Sequence, residues 1–89
     1  MTLKIERFSR KRGTRIRLSG ELRKEQLDGL RSEMERGGPR VTLDLDELNL
    51  VDIDAVWFLN ACVAQGVKTV NCSPYIREWM YRERNHKKD

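Results

Sequence analysis

The feature that most constrains the fold is a run of apolar residues in the second half of the chain, from Asp52 or Asp54 to Gln65. At helical spacing this run is apolar on almost every side, and a helix of that kind is buried or heavily covered by the rest of the protein. Asp52 and Asp54 are both suited to cap the helix N-terminus, and Gly66 is suited to end it. With 89 residues in total, the chain has room for one domain with a thin core.

The segments on either side of this helix predict four strands. Apolar and polar residues alternate in two stretches near the N-terminus, joined by a basic turn at residues 11–13, and they alternate again over residues 41–46. Residues 47–51 are predicted to be a short linker. A fourth strand is predicted over residues 67–72, directly after the apolar helix.

Two further helices are predicted. Apolar residues recur at spacings of three and four over residues 23–36, which is typical of an amphipathic surface helix, and the Gly-Gly-Pro sequence at residues 37–39 ends it. Ser73 and Pro74 are favourable residues at the start of a last helix. We expect its charged tail, residues 82–89, to fray.

The predicted order β-β-α-β-α-β-α defines an α/β protein. After the opening hairpin, strands alternate with helices, so right-handed crossovers make the later strands parallel and leave the hairpin as an antiparallel edge. Because most of the strands have one polar face, we expect a four-stranded mixed sheet with the helices mainly on one face and water on the other. Residues 1–89 are predicted to form a single domain.

Several segments in this order resemble the sequence of a known protein family. They are Ile16-Arg17-Leu18-Ser19-Gly20-Glu21-Leu22 in the second strand, Val41-Thr42-Leu43-Asp44-Leu45 in the third, and the pair Val51-Asp52 before the apolar helix. The helix that closes on Gly66 and the segment Asn71-Cys72-Ser73-Pro74 with the apolar start of the last helix complete the set. With these segments the chain resembles the STAS domain family, the small α/β fold of bacterial anti-sigma factor antagonists and of sulfate transporter tails.

The resemblance, which covers about residues 2–81, implies a non-catalytic protein-interaction module of bacterial regulation that is similar to an anti-sigma factor antagonist. In phosphoregulated members, the loop before the core helix reads Asp-Ser-Ser-Gly, and a partner kinase phosphorylates one serine. Residues 52–55 stand at these positions without any hydroxyl, so we expect no phosphorylation in this loop. The implied partner is a protein, such as an anti-sigma factor-like kinase or a signalling complex. The implied partner-binding residues are Asp52, Ile53, Asp54, Ala55 and Trp57.

Residues that carry catalytic or metal chemistry are sparse. Asp44, Asp46, Asp52 and Asp54 are candidates for a Mg²⁺ site at the sheet edge, but helix caps and a solvated strand face account for them more simply. His86 is the only histidine, and the sequence has no Ser-His-Asp order, no Cys-His pair and no glycine-rich phosphate loop. We therefore predict no catalytic, metal-binding or cofactor-binding residues, no cofactor and no enzymatic activity.

Charge is distributed unevenly and leaves two alternatives open. Residues 1–17 carry a net charge of +6, and residues 18–73 carry −4. The first alternative is nucleic-acid binding through the basic hairpin from Arg7 to Arg17. The second is a small homo-oligomeric structural subunit, such as a homodimer paired through its open sheet face or edge. No window approaches the roughly 18 to 20 apolar residues that span a membrane, and the first residues lack a secretory pattern, so we expect a cytoplasmic protein.

Overall fold

The computed structural model describes residues 3–86, in which strands and helices follow the predicted order. The strands are β1 (Leu3–Arg10), β2 (Gly13–Leu22), β3 (Val41–Val51) and β4 (Lys68–Val70). The helices are α1 (Leu27–Arg36), α2 (Ile53–Ala64) and α3 (Pro74–His86), and a 3₁₀ turn, Lys24–Gln26, precedes α1. The predicted α/β fold with the order β-β-α-β-α-β-α is confirmed.

The four strands form one mixed sheet in the order β1-β2-β3-β4. β1 and β2 are an antiparallel hairpin, whereas β3 is parallel to β2 and β4 is parallel to β3. Thr14 lies opposite Val41, and Thr42 lies opposite Lys68, so the three parallel strands begin at the same edge of the sheet. The last residue of β3 and the first turn of α2 lie at the other edge.

The core lies between the sheet and the helices. A single cluster of buried apolar side chains draws on all three helices, so the helices cover the same face of the sheet, as predicted. Full burial of one such side chain stabilises the fold by about 1.5–3 kcal/mol, which makes this cluster the main source of stability. Its buried members are Ile16, Leu18 and Leu22 of β2, Val41, Leu43, Leu45, Leu48 and Val51 of β3, Leu30 of α1, Ala55, Val56, Leu59 and Cys62 of α2, and Ile76 and Met80 of α3.

The prediction of a linker at residues 47–51 is wrong, because β3 continues to Val51. The register of β3 against β2 shifts twice along this stretch, and each shift places one extra residue in β3. The buried side chains Leu45, Leu48 and Val51 are consequently three residues apart instead of two. A strand interrupted by bulges does not show the strict alternation from which strands are predicted.

Two other boundaries differ from the predicted ones. α1 begins at Leu27, because residues 24–26 form the 3₁₀ turn instead of the first turn of the helix. β4 is confined to Lys68–Val70, and Asn71, which follows it, has a left-handed backbone with φ of 60°. That conformation is incompatible with a strand, so it ends the pairing before Cys72.

The last helix is longer than the sequence indicated. α3 continues to His86, so residues 82–86 of the predicted tail are helical. Residues 87–89 of that tail lie outside the described part of the chain. Between residues 3 and 86, no helix is long and apolar enough to cross a membrane.

A close main-chain contact holds the β1–β2 turn against the loop before β3. The Thr14 N–H donates to the Arg40 carbonyl oxygen at 2.8 Å, and the Thr14 hydroxyl donates to the Gly37 carbonyl oxygen at 2.9 Å. A Cβ atom at Gly13 would lie 2.4 Å from the same Arg40 oxygen, which is inside the contact distance. Only glycine fits at this point of the turn without moving the loop.

We expect Gly13→Ala to lower the free energy of unfolding by about 1–3 kcal/mol, because the added methyl group must displace the turn or the loop. Gly29 is a matched control, since a Cβ atom there meets nothing within 4 Å. Alanine is the better helix former, so Gly29→Ala should raise the stability by about 0.5–1 kcal/mol. Urea unfolding followed by circular dichroism measures both changes. A Gly13→Ala variant as stable as the wild type would contradict the turn packing.

Candidate protein-interaction surface

Asp52 joins the two loops at the end of the parallel strands. One carboxylate oxygen accepts the Ala55 N–H at 2.9 Å and caps α2, which confirms the predicted capping role. The other oxygen accepts the Lys24 N–H at 2.8 Å, and the Asp52 N–H donates to the Leu22 carbonyl oxygen at 3.3 Å. Both carboxylate oxygens are therefore engaged within the chain, and the role of this residue in the loop is to hold the backbone in place.

The other predicted binding residues differ widely in exposure. Ala55 is fully buried and belongs to the core, so the structure does not leave it accessible to a partner, contrary to the prediction from the sequence. Ile53 and Asp54 are half-buried at the start of α2. The Asp54 carboxylate makes no hydrogen bond or ion pair with any residue from 3 to 86, and its negative charge lies at the positive end of the helix. Asp54 thus differs from Asp52, whose carboxylate oxygens are both engaged within the chain.

Trp57 is the large aromatic side chain that α2 leaves in contact with water. Its side chain is 45% exposed, although the helix that carries it is apolar almost throughout. The indole Nε1–H donates to the Glu83 Oε1 atom of α3 at 3.0 Å, which fixes the orientation of the ring. A large apolar surface is thereby presented to solvent in one orientation.

Trp57 belongs to a row of apolar side chains along the outer side of α2. Ile53, Trp57, Ala61 and Ala64 are spaced by four and three residues, so they share one face of the helix. We call these four residues the α2 stripe. Trp57, Ala61 and Ala64 are exposed and Ile53 is half-buried. The stripe therefore consists of one large ring with an isoleucine on one side of it along the helix and two alanines on the other.

Both neighbouring helices supply charged groups beside the stripe. Glu83 of α3 accepts the hydrogen bond from Trp57, and the Arg31 guanidinium of α1 stacks on the Phe58 ring, with its carbon 5.2 Å from the ring centroid. Sequence spacing does not reveal either contact, because the paired residues lie on different helices. Glu83 also falls in the segment predicted to fray, where no structural role was expected.

A second polar cluster lies on the open face of the sheet, around Asp44. Its carboxylate accepts hydrogen bonds from Arg15 at 2.8 and 3.1 Å, from the Asn71 side chain at 3.0 Å and from the Asp46 N–H at 3.1 Å. Burial disfavours the charged form, but these hydrogen bonds and the charge of Arg15 outweigh that effect, so the pKa of Asp44 is lowered. The cluster ties β2, β3 and the end of β4 together.

The four carboxylates considered as Mg²⁺ ligands are dispersed. Asp44 lies within β3, whereas Asp52 and Asp54 lie beyond the last residue of that strand. Asp46 is exposed, and one of its oxygens is 3.9 Å from the Arg17 guanidinium. Among residues 3–86 there is no group of three or more histidine, cysteine or acidic side chains that could hold a metal ion.

Cys62 and Cys72 are free thiols. Burial raises the pKa of both groups, and the nearby positive charges of Arg31 and Arg77 offset this effect only in part. Both side chains are therefore protonated at neutral pH, and a protonated thiol is a weak nucleophile.

Comparison of the chain with protein-family models and with curated protein sequences gives no match. The resemblance to the STAS domain family therefore stays a prediction, and it depends on the sequence segments that carry it. Any functional proposal for this chain therefore also depends on its exposed surfaces.

We expect Asp52→Asn to lower the free energy of unfolding by about 1–3 kcal/mol. An amide has one oxygen to offer to the two N–H donors, so its NH₂ group must face one of them. Asp54→Asn removes the same charge from the same helical turn without breaking a hydrogen bond, and it should change the stability by less than about 1 kcal/mol. Urea unfolding at neutral pH compares the two variants. Equal effects would show that charge alone, and not the bridging of the loops, explains the role of Asp52.

Protonation of Asp44 should account for part of the stability that the fold loses at acidic pH. Because its pKa is lower in the folded state than in the unfolded chain, the stabilisation is present above about pH 4 and is lost as the pH falls through the folded-state pKa. Between pH 7 and pH 3 the wild type should therefore lose more unfolding free energy than Asp44→Asn, measured by urea titration at each pH. Asp46→Asn, which removes an exposed carboxylate from the same strand, is the control. The same loss in all three proteins would contradict this role of Asp44.

Proposed function

We propose that this chain is a non-catalytic protein-interaction module of the bacterial cytoplasm, and that residues 52–54 and the α2 stripe form its partner-facing surface. The observation that carries the proposal is the 45% exposure of Trp57 on a largely apolar helix whose other side packs into the core. Exposed tryptophans in a fixed orientation are typical of the residues that dominate binding energy at protein interfaces. The resemblance to the STAS domain family supports the same surface.

The geometry of this surface favours binding without much reorganisation. Asp52 holds the first turn of α2, and Glu83 holds the Trp57 ring, so little conformational freedom remains to be lost when a partner binds. Ala61 and Ala64 are small, so a partner can approach the helix closely on either side of the indole ring. A partner of matching shape needs a pocket for Trp57 with apolar walls.

The negative charge of Asp54 favours a partner with a basic side chain at the matching position. The Asp54 carboxylate has no ionic partner among residues 3–86, so a basic side chain on the partner would neutralise it. In the STAS resemblance Asp54 stands at one of the two serine positions of the loop, beside the position that is switched in relatives. Asp54 supplies a permanent negative charge there, and we propose that it keeps the module in one binding state. An anti-sigma factor-like kinase or a signalling complex is the class of partner that the resemblance indicates.

Affinity capture with Trp57→Ala tests this proposal. Proteins that the immobilised wild-type chain retains from a bacterial lysate should bind the variant about 30-fold or more weakly, because the aromatic anchor is lost. Tyr81→Ala is the matched control, since Tyr81 is an exposed aromatic residue on α3 at 54% exposure. Light scattering of the chain alone distinguishes a partner from a second copy. Retention of the same proteins by wild type and Trp57→Ala would remove the α2 stripe from the interface.

Asp54→Ser tests the charge separately from the apolar anchor. If the carboxylate sets the binding state, this variant should retain a different amount or a different set of proteins from wild type, while its far-UV circular dichroism is unchanged. Glu35→Ser removes an exposed α1 carboxylate that forms no ion pair within residues 3–86, and it serves as the control for net charge. Identical capture by all three chains would show that Asp54 has no part in partner selection.

A further inference from the structure

A groove of about 530 Å³ lies at the edge of the sheet where the parallel strands begin. The β1–β2 turn, the loop before β3 and the loop before β4 meet there, because Thr14 lies opposite Val41 and Thr42 lies opposite Lys68. The Thr14 N–H to Arg40 carbonyl hydrogen bond holds two of these segments in contact. The groove is thus a fixed part of the fold.

The side chains along this groove carry positive charge and no negative charge. Its cationic residues come from three separate parts of the chain, and no aspartate or glutamate lines it. They are Arg10, Arg12 and Arg15 of the hairpin, Arg40 before β3, and Lys68 at the start of β4. The sequence indicates only the hairpin members of this set. Arg40 and Lys68 lie far along the chain and join them through strand pairing.

Four of the five groove cations differ from most of the other basic residues among residues 3–86 in having no acidic partner. Within residues 3–86, Arg10, Arg12, Arg40 and Lys68 form no ion pair and donate no side-chain hydrogen bond. Only Arg15 is paired, through Asp44. Cations held together without counter-charges create a strong local positive potential, which favours binding of an anion with several charges.

The basic surface that the sequence indicated, from Arg7 to Arg17 of the hairpin, is smaller in the structure. Arg7 pairs with Glu33 of α1 at 3.1 Å, on the side of the sheet that the helices cover. Arg17 lies on the open face, 3.6 Å from Glu47. The unpaired positive charge is therefore concentrated at the turn and the groove, instead of along the whole hairpin.

One aromatic side chain lies beside the groove on the open face of the sheet. Phe8 is 45% exposed and lies directly opposite Arg15 in the hairpin, so the two side chains are on the same face. Guanidinium groups bind phosphates well, and an exposed ring stacks on an unpaired base. A chain with phosphodiester charges and accessible bases matches both features.

We propose that the groove binds single-stranded nucleic acid, with the phosphodiester backbone along Arg10, Arg12, Arg40 and Lys68 and one base stacked on Phe8. This binding is independent of the α2 stripe, since the groove lies at the start of the parallel strands and Asp52 lies beyond the end of β3. A base in a duplex is already stacked on its neighbours, so only a single strand can use the phenylalanine. Affinity for a single strand should therefore exceed affinity for a duplex with the same number of phosphates.

Fluorescence anisotropy with a labelled oligothymidylate of about 12 nucleotides tests the proposal. The full chain should bind it, and the affinity should fall about tenfold or more between about 50 and about 200 mM salt, because bound phosphates release counterions. A heparin fragment and polyglutamate are measured in parallel. Absence of binding at the lower salt concentration, or equal affinity for polyglutamate, would overturn the proposal.

Two triple variants distinguish binding by the groove residues from a general effect of the positive net charge. Arg12→Gln, Arg40→Gln and Lys68→Gln together should reduce the affinity at least tenfold and lower the salt slope by about 2. The control combines Lys24→Gln, Arg77→Gln and Arg84→Gln, which removes the same three charges outside the groove and should leave both quantities nearly unchanged. Equal losses in the two triple variants would overturn the assignment to the groove.

Phe8→Ala separates base stacking from attraction of the backbone. It should weaken binding of the single strand roughly fivefold or more and leave binding of the duplex unchanged. Far-UV circular dichroism and urea unfolding check that the variant is folded, and all of the replaced groove side chains are exposed. A single strand bound equally well by wild type and Phe8→Ala, or a duplex bound more tightly than the single strand, would overturn the proposal.

Discussion

The parallel pairing of β2 with β3 is the interaction on which the rest of the structure depends. The two strands lie at the centre of the sheet, and their ladder runs from Thr14 opposite Val41 to Leu22 opposite Val51. A parallel pair needs a long crossover connection, and α1 provides it with Leu30 buried over the sheet. β1 and β4 then complete the edges, while α2 and α3 cover the same face as α1.

The same ladder positions two surfaces of opposite chemical character at its two ends. At the start of the strands, the hydrogen bond from Thr14 to Arg40 brings together the segments that line the cationic groove. At the far end, the Asp52 N–H donates to the Leu22 carbonyl oxygen, and the Asp52 carboxylate accepts the Lys24 N–H. These two hydrogen bonds set the direction in which α2 leaves the sheet. One end thus carries a cluster of basic side chains, and the other leads into a helix with an apolar outer face.

The sequence separation between interacting residues decides which features of the fold and of its surfaces could be predicted from the sequence. The caps at Asp52 and Ser73 were predictable, because each bonds to an N–H three residues further along the chain. The order of strands and helices was also predictable, since it depends on local periodicity. The bulges that extend β3, the hydrogen bond between Trp57 and Glu83, and the arrival of Lys68 beside the hairpin depend on tertiary packing. No local pattern in the sequence encodes these three features.

The way in which Asp52 binds the backbone has a consequence for sequence divergence. Both donors to its carboxylate are main-chain N–H groups, so the bridge between the loops does not depend on which side chains occupy positions 24 and 55. Any residue except proline supplies the N–H at position 24, and any small residue except proline does so at the buried position 55. A single aspartate at position 52 is then enough to hold the two loops together, while the exposed residues around it are free to change. Descendants of this chain can therefore change the exposed residues around Asp52 without rebuilding the fold beneath them.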